Sequence, residues 1–140
     1  MGIYINLWVL LFSIIFSVIL GFIWYGPLFG KKWMELNGMK MPDPKPSFKT
    51  MLKPMGFSFF GAFCMSFVLA RIILIGNAYL GTSGISSGLA TACMVWIGFI
   101  VPAHISASNW EGKSWKLFWI NTGYWLVYLF VIGGLTALFA

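Results

Sequence analysis

The chain has 140 residues, of which 60% are hydrophobic and only 9% are charged, and its net charge is +6. Soluble globular domains carry about 25% charged residues, so this composition excludes an ordinary water-soluble domain and indicates that lipid covers part of the surface. The charge pattern argues against a nucleic-acid stripe, because most basic residues fall in one segment: Lys31, Lys32, Lys40, Lys45, Lys49 and Lys53.

Four apolar segments are each long enough for a helix to cross the hydrocarbon core, which takes about 20 residues. They do not alternate polar and apolar residues as the strands of a membrane barrel do. We therefore predict an all-α integral membrane protein with one domain and four transmembrane helices, at 3–25, 55–76, 85–103 and 117–139.

The connections between these helices differ in length and charge. The first, 26–54, is long, basic and rich in proline, which predicts an irregular or partly extended loop. The second, 77–84, is short and uncharged. The third, 104–116, is a short loop, and Pro102 predicts that the preceding helix kinks or ends there.

Orientation follows from the basic residues, because basic connections remain in the cytoplasm. The first and third connections carry all of them except Arg71. We predict a multi-pass protein of the cell membrane with the 26–54 loop inside and both termini outside. Lys31, Lys32 and Lys53 are candidates for binding anionic lipid headgroups, at about 1 kcal/mol per basic residue. The same lysines are also sufficient as a topology signal alone.

Two blocks of sequence recur in the same order, which predicts a duplicated pair of helical hairpins. Gly-Phe-Ile begins at Gly21 and again at Gly98. Ser47-Phe48-Lys49 matches Ser114-Trp115-Lys116, and nine residues after each serine comes a glycine followed by an aromatic residue. A parallel repeat of this kind occurs in transporters, with sites at the repeat interface, but it also arises by duplication of a packing unit.

Small side chains recur four residues apart in every predicted span, which favours close helix packing in lipid. We expect them to pack one bundle or to join protomers, and we predict a homo-oligomer. The small residues are Ser13, Ser17 and Gly21; Ser58, Ala62, Ser66 and Ala70; Gly84, Gly88 and Ala92; and Gly133 and Ala137.

Polar residues inside the spans are the candidate functional residues. Arg71 is the charge deepest in a predicted span; it can be a buried functional arginine, but we expect its guanidinium to reach the outer headgroup layer. Asn121 either bonds across helices or belongs to a polar vestibule lined by aromatic residues. That vestibule would comprise Trp24, Tyr25, Trp96, His104, Asn121 and Tyr124.

Catalysis has little support in the sequence. The acidic residues Glu35, Asp43 and Glu111 all lie in predicted loops, and we find neither a zinc ligand set nor a phosphate-loop or nucleophile motif. We predict no metal and no cofactor, and a membrane enzyme ranks behind two other functions. These are a path for a small solute or ion, and a non-transporting scaffold or anionic-lipid-binding protein.

Three motifs, GFIWYGPLFGKKW, WIGFIVP and NWEGKSWKLFWINTGYWL, resemble the small bacterial membrane proteins grouped as domain of unknown function seventeen-sixty-one. The resemblance extends over nearly the whole chain. It implies a multi-pass membrane protein, and it brings no activity, substrate or catalytic residue to this sequence.

Overall fold

The structure is a computed structural model that describes residues 4–40 and 45–140. The predicted start of the first span at position 3 and the prolines at 42 and 44 lie outside these residues. The helices are α1 (Leu7–Ile23), α2 (Gly30–Leu36), α3 (Phe48–Leu80), α4 (Ile85–Val95), α5 (Val101–Trp110) and α6 (Trp115–Leu138), with π-helical segments π1 (Trp24–Leu28) after α1 and π2 (Trp96–Ile100) between α4 and α5.

Four continuous helices within the described ranges are long and apolar enough to cross a membrane, which confirms the predicted fold class. These are Leu7–Leu28, Phe48–Leu80, Ile85–Trp110 and Trp115–Leu138. We call the end of the bundle where α3 and α6 begin the basic end, because the lysines of the first and third connections lie there.

The prediction of an irregular loop over 26–54 is wrong for much of its length. The helix α2 occupies Gly30–Leu36, and α3 begins at Phe48, so Pro54 lies inside a helix. Proline removes one helical hydrogen bond and strains the preceding turn. Here that turn is exposed, and solvent at the basic end can satisfy the carbonyl that Pro54 leaves without a donor.

The third span also continues past the expected boundary. Pro102 lies in the first turn of α5. Its missing N–H costs little there, because an N–H at this position would have no helical carbonyl to donate to. The π2 segment ends just before α5 and changes the hydrogen-bond register of the helix there. The residues from His104 to Trp110, predicted to form a loop, are therefore helical.

The helix α6 is the most buried of the four spans and lies at the centre of the bundle. It contacts α1, α2, α3, α4 and α5. Its buried positions cover most of the circumference of the helix, as expected of a core helix in a bundle. They are Leu117, Phe118, Ile120, Thr122, Tyr124, Tyr128, Leu129, Ile132, Gly133, Thr136 and Ala137.

Small residues produce the closest approach between helices, where α4 meets α6. A Cβ added at Gly88 would overlap the carbonyl group of Gly133 and would lie 2.8 Å from Ala137 Cβ. The α1–α3 pair approaches at Ser13, whose Oγ lies 2.8 Å from Ser66 Oγ and donates to it. These contacts are those that small-residue spacing favours between helices in lipid.

The two halves of the chain follow the same structural order. A tryptophan opens each π segment, at Trp24 and Trp96. A left-handed glycine follows the next helix in each half, Gly38 with φ 65° and Gly112 with φ 68°. The matched serines, Ser47 and Ser114, are the N-cap residues of α3 and α6.

The Gly-Phe-Ile match behaves differently. Gly21 lies in α1 ahead of π1, whereas Gly98 lies inside π2, so these glycines do not occupy equivalent positions. The serine blocks therefore carry the correspondence, and the parallel repeat itself stays a prediction.

Replacing Gly88 by alanine should lower the stability of the protein by about 1–3 kcal/mol, because the new methyl group meets backbone atoms of α6 that cannot move independently. The control is Gly76→Ala in α3, where no atom lies within 4 Å of an added Cβ; it should be neutral or stabilise by up to about 1 kcal/mol. Thermal unfolding in detergent measures both, and equal effects would contradict this contact.

Candidate functional site: a groove and a cleft at the basic end

Two tryptophans from different halves of the chain hydrogen-bond to the backbone of α6. Trp24 Nε1 donates to the carbonyl of Ile120 at 2.8 Å, and Trp96 Nε1 donates to the carbonyl of Thr122 at 2.8 Å. A carbonyl oxygen has two lone pairs, so a helical carbonyl can accept a second donor. The two bonds hold π1 and π2 against neighbouring turns of α6.

Tyrosine hydroxyls complete this set of interhelical bonds. Tyr25 donates to Asn121 Oδ1 at 2.9 Å, Tyr124 donates to the carbonyl of Ser17 at 2.9 Å, and Tyr128 donates to the carbonyl of Ala62 at 3.1 Å. The rings of Tyr25 and Tyr124 pack with centroids 5.6 Å apart. Each of these three hydroxyls thereby has an acceptor, as an apolar surrounding requires.

Five of the six predicted vestibule residues lie on or against the first turns of α6: Trp24, Tyr25, Trp96, Asn121 and Tyr124. Their polar groups bond to other spans or to the backbone of α6. Bonds of this kind are expected when such residues hold helices together. Tyr25 and Tyr124 also line one cavity, and His104 and Asn121 line another. A vestibule for a solute stays a prediction.

The larger cavity is a groove of about 600 Å³ between α1 and α3, with α6 as its floor. Its volume lies in the range of small-molecule sites, about 300–1,000 Å³. We call it the groove. It is lined by Ser17, Val18, Gly21, Phe22, Tyr25, Gly26, Met55, Ser58, Phe59, Gly61, Ala62, Tyr124 and Trp125.

The groove exists because two small-residue stripes pack over only part of their length. Ser13 and Ser66 are in contact, but Gly21 and Gly61 face open space, since no atom lies within 4 Å of a Cβ added at either. Two helices that diverge toward the basic end leave small side chains lining a gap. Glycine at these positions therefore creates space that the protein's own described atoms do not fill.

The smaller cavity is a cleft of about 340 Å³ between α5 and α6. We call it the cleft. Its lining is more polar than that of the groove and consists of Ala103, His104, Ala107, Ser108, Glu111, Lys113, Leu117, Phe118 and Asn121. The Tyr25–Asn121 hydrogen bond joins a residue of the groove to a residue of the cleft.

The position of His104 follows from the helical continuation of α5. Its Nδ1 lies 3.0 Å from the carbonyl of Ile100, and because a carbonyl only accepts, Nδ1 carries the proton. Glu111 lies on the same cleft and pairs with Lys113, with Oε2 3.5 Å from Nζ. The ion pair is exposed, so it contributes only about 0–1 kcal/mol to stability.

Arg71 lies on the exposed side of α3, next to the buried Ala70. Its guanidinium carbon is 5.4 Å from the ring centroid of Phe67, one turn closer to the basic end. A cation over an aromatic face is stabilised by the ring quadrupole. The predicted position in the outer headgroup layer stays a prediction.

Among residues 4–40 and 45–140, no group of three or more His, Cys, Asp and Glu residues could hold a metal ion. The groove is not predicted from the sequence, because small residues such as Gly21, Ser58 and Ala62 are interpreted there as packing residues. Ser108 and Lys113 of the cleft are not predicted either, since that segment is expected to be a loop. The helical spacing of His104, Ser108 and Glu111, four and then three residues, was the available signal.

The fold and these two cavities define a small four-span helical membrane protein with two cavities near one end. A family model described as "Protein of unknown function (DUF1761)" matches residues 8–137, and the chain belongs to that family. This confirms the resemblance found in the sequence. No curated protein and no solved structure matches the chain.

Removal of the Tyr124 hydroxyl tests the interhelical bonds. Tyr124→Phe should lower the free energy of unfolding by about 1 kcal/mol, the net contribution of one hydrogen bond. Tyr79→Phe is the control, because Tyr79 is 87% exposed and should tolerate the change. Unfolding in detergent, followed by circular dichroism, compares the two; a Tyr124→Phe protein as stable as the control would contradict the assignment.

Proposed function

We propose that this membrane protein binds an anionic lipid-like amphiphile, with the acyl chain in the groove and the headgroup beside the lysines of the basic end. The observation that carries the proposal is the groove itself, which combines apolar walls with glycines that leave it open. Such a site suits a flexible hydrocarbon chain, because the apolar walls can contact it and the small side chains leave room for it.

The charge near the groove supports an anionic headgroup. Lys53 lies two residues before Met55, which lines the groove, and it is exposed. Lys31 and Lys32 lie on α2, which follows π1 directly; Lys31 is exposed, and Lys32 Nζ lies 3.6 Å from Glu35 Oε1. Basic residues near a membrane surface each attract anionic lipid by about 1 kcal/mol.

The alternative of a path for a small solute requires the groove and the cleft to join. The Tyr25–Asn121 bond links their linings, so a path would need that bond to open. Lipid binding needs no such rearrangement, and we favour it for that reason.

Filling the groove should remove lipid binding without unfolding the protein. Gly21→Leu and Gly61→Leu place a side chain in space that is open at both positions. We expect each variant to lose the lipid molecules that remain bound to the purified wild-type protein, as measured by native mass spectrometry from mild detergent with added phosphatidylglycerol.

The matched control is Gly76→Leu, in the same helix as Gly61 and likewise open, but outside the groove. It should bind lipid as the wild type does. The same spectra report the oligomeric state, and we expect a homo-oligomer whose assembly the groove variants preserve. Loss of the oligomer with unchanged lipid binding would mean that a second copy occupies the groove, and the proposal would be wrong.

The basic end is proposed to face the cytoplasm, with both termini outside. Lys45→Cys and Leu80→Cys, each in a background lacking Cys64 and Cys93, report on opposite ends of α3. In intact cells an impermeant thiol reagent should label position 80 and not position 45, because basic connections stay inside. The reverse pattern would overturn this orientation.

A further inference from the structure

We infer that the cleft between α5 and α6 is a second binding site, for a phosphate-sized oxyanion, separate from the groove. Its lining combines the hydroxyl of a largely buried serine, an amide and a lysine beside the start of a long helix. These groups supply donors, which an oxyanion requires.

Ser108 is the clearest indication of a ligand. It is only 9% exposed, it lines the cleft, and within the described residues its hydroxyl has no hydrogen-bond partner. The other buried serines behave differently, because Ser17 and Ser66 each donate to a carbonyl one turn earlier and Ser13 donates to Ser66. A hydroxyl that a largely buried serine contributes to a polar cavity, and that is not bonded to its own helix, is available to a molecule in that cavity.

Asn121 contributes the second donor. Its Oδ1 accepts the Tyr25 hydroxyl, which directs the oxygen toward π1 and leaves the amide N–H groups for the cleft. An amide has two N–H donors, and among the described residues none of these has an acceptor. Tyr25 therefore orients the amide, and Asn121 can donate to an oxygen in the cleft.

The start of α6 favours a negative charge at the same place. Leu117 and Phe118 of its first turn line the cleft, and Lys113 precedes it. The first N–H groups of a helix lack partners within the helix and carry a partial positive charge. The N-cap hydroxyl of Ser114 accepts one of them, from Lys116. The Glu111 carboxylate, which also lines the cleft, is paired with Lys113.

His104 makes a phosphoryl group a better match than a carboxylate. The contact of Nδ1 with the carbonyl of Ile100 leaves Nε2 as the ring nitrogen available to a ligand, as an acceptor from a phosphate O–H when the ring is neutral and as a donor to a phosphate oxygen when it is protonated. A monohydrogen phosphate or a phosphate monoester brings several acceptor oxygens and, in its singly protonated form, one O–H donor. A deprotonated carboxylate has no such donor. The phosphoryl group can come from a soluble phosphate or from a lipid headgroup.

Binding is measured with radiolabelled inorganic phosphate and the full-length protein in nanodiscs of phosphatidylcholine alone. We expect saturable binding that Ser108→Ala weakens by about tenfold, the loss typical of one hydrogen bond to a charged group. Lys113→Gln should weaken it by about fivefold, the effect of one basic residue near the anion. A second set of nanodiscs containing phosphatidic acid tests whether that headgroup competes for the cleft.

Matched controls separate phosphate binding in the cleft from general attraction to positive charge and from lipid binding in the groove. Ser106→Ala on α5 and Lys116→Gln in the first turn of α6 lie outside the cleft lining and should bind phosphate as the wild type does. Gly61→Leu should also retain phosphate binding, and Ser108→Ala should retain lipid in the groove. If phosphatidic acid competes with phosphate, the site is assigned to a lipid headgroup. If it does not compete, the site is assigned to soluble phosphate. Both results support the oxyanion site. It is overturned if neither phosphate nor phosphatidic acid binds in a Ser108-dependent manner, or if the controls weaken binding equally.

Discussion

The indole N–H groups of Trp24 and Trp96 bond to carbonyls only two residues apart on α6, and the arrangement of the bundle depends on this pair. Hydrocarbon offers no partner for a polar group, so a buried donor must find an acceptor in the protein. Each tryptophan opens a π-helical segment, a local change of register often found at functional sites. The two halves of the chain are thereby fixed on one central helix at one level.

The groove and the cleft reflect two ways of meeting that constraint. Between α1, α3 and α6, hydroxyl groups bond to backbone carbonyls, and the remaining surface is apolar enough to face lipid. In the cleft, the Ser108 hydroxyl and the N–H groups of the Asn121 amide have no acceptor among the described residues. The cleft lies beside Glu111, Lys113 and the basic connections, so polar ligands can satisfy the groups that lie within it.

The sequence was sufficient to predict the four spans, because long apolar runs are strong signals in lipid. It also singled out Trp24, Tyr25 and Asn121, which hydrogen-bond on and around α6, while their role as a vestibule stays a prediction. It failed at Pro54 and Pro102, since the cost of a proline depends on exposure and on the register of the preceding turn. It also could not separate the part of a small-residue stripe that packs, at Ser13, from the part that lines a groove, at Gly21. That distinction depends on the angle between α1 and α3, which local sequence does not encode.

The central position of α6 has a consequence for how the protein is made. Helices emerge from the ribosome in chain order, and α6 is the fourth span of this sequence. Until it is inserted, the carbonyl acceptors for both indoles are absent and the faces that pack on α6 remain open to lipid. Before that point the first three spans have only their mutual contacts, such as the Ser13–Ser66 hydrogen bond. Chains interrupted before α6 would expose these donors to membrane chaperones and proteases, so quality control could recognise incomplete copies by the absence of a single helix.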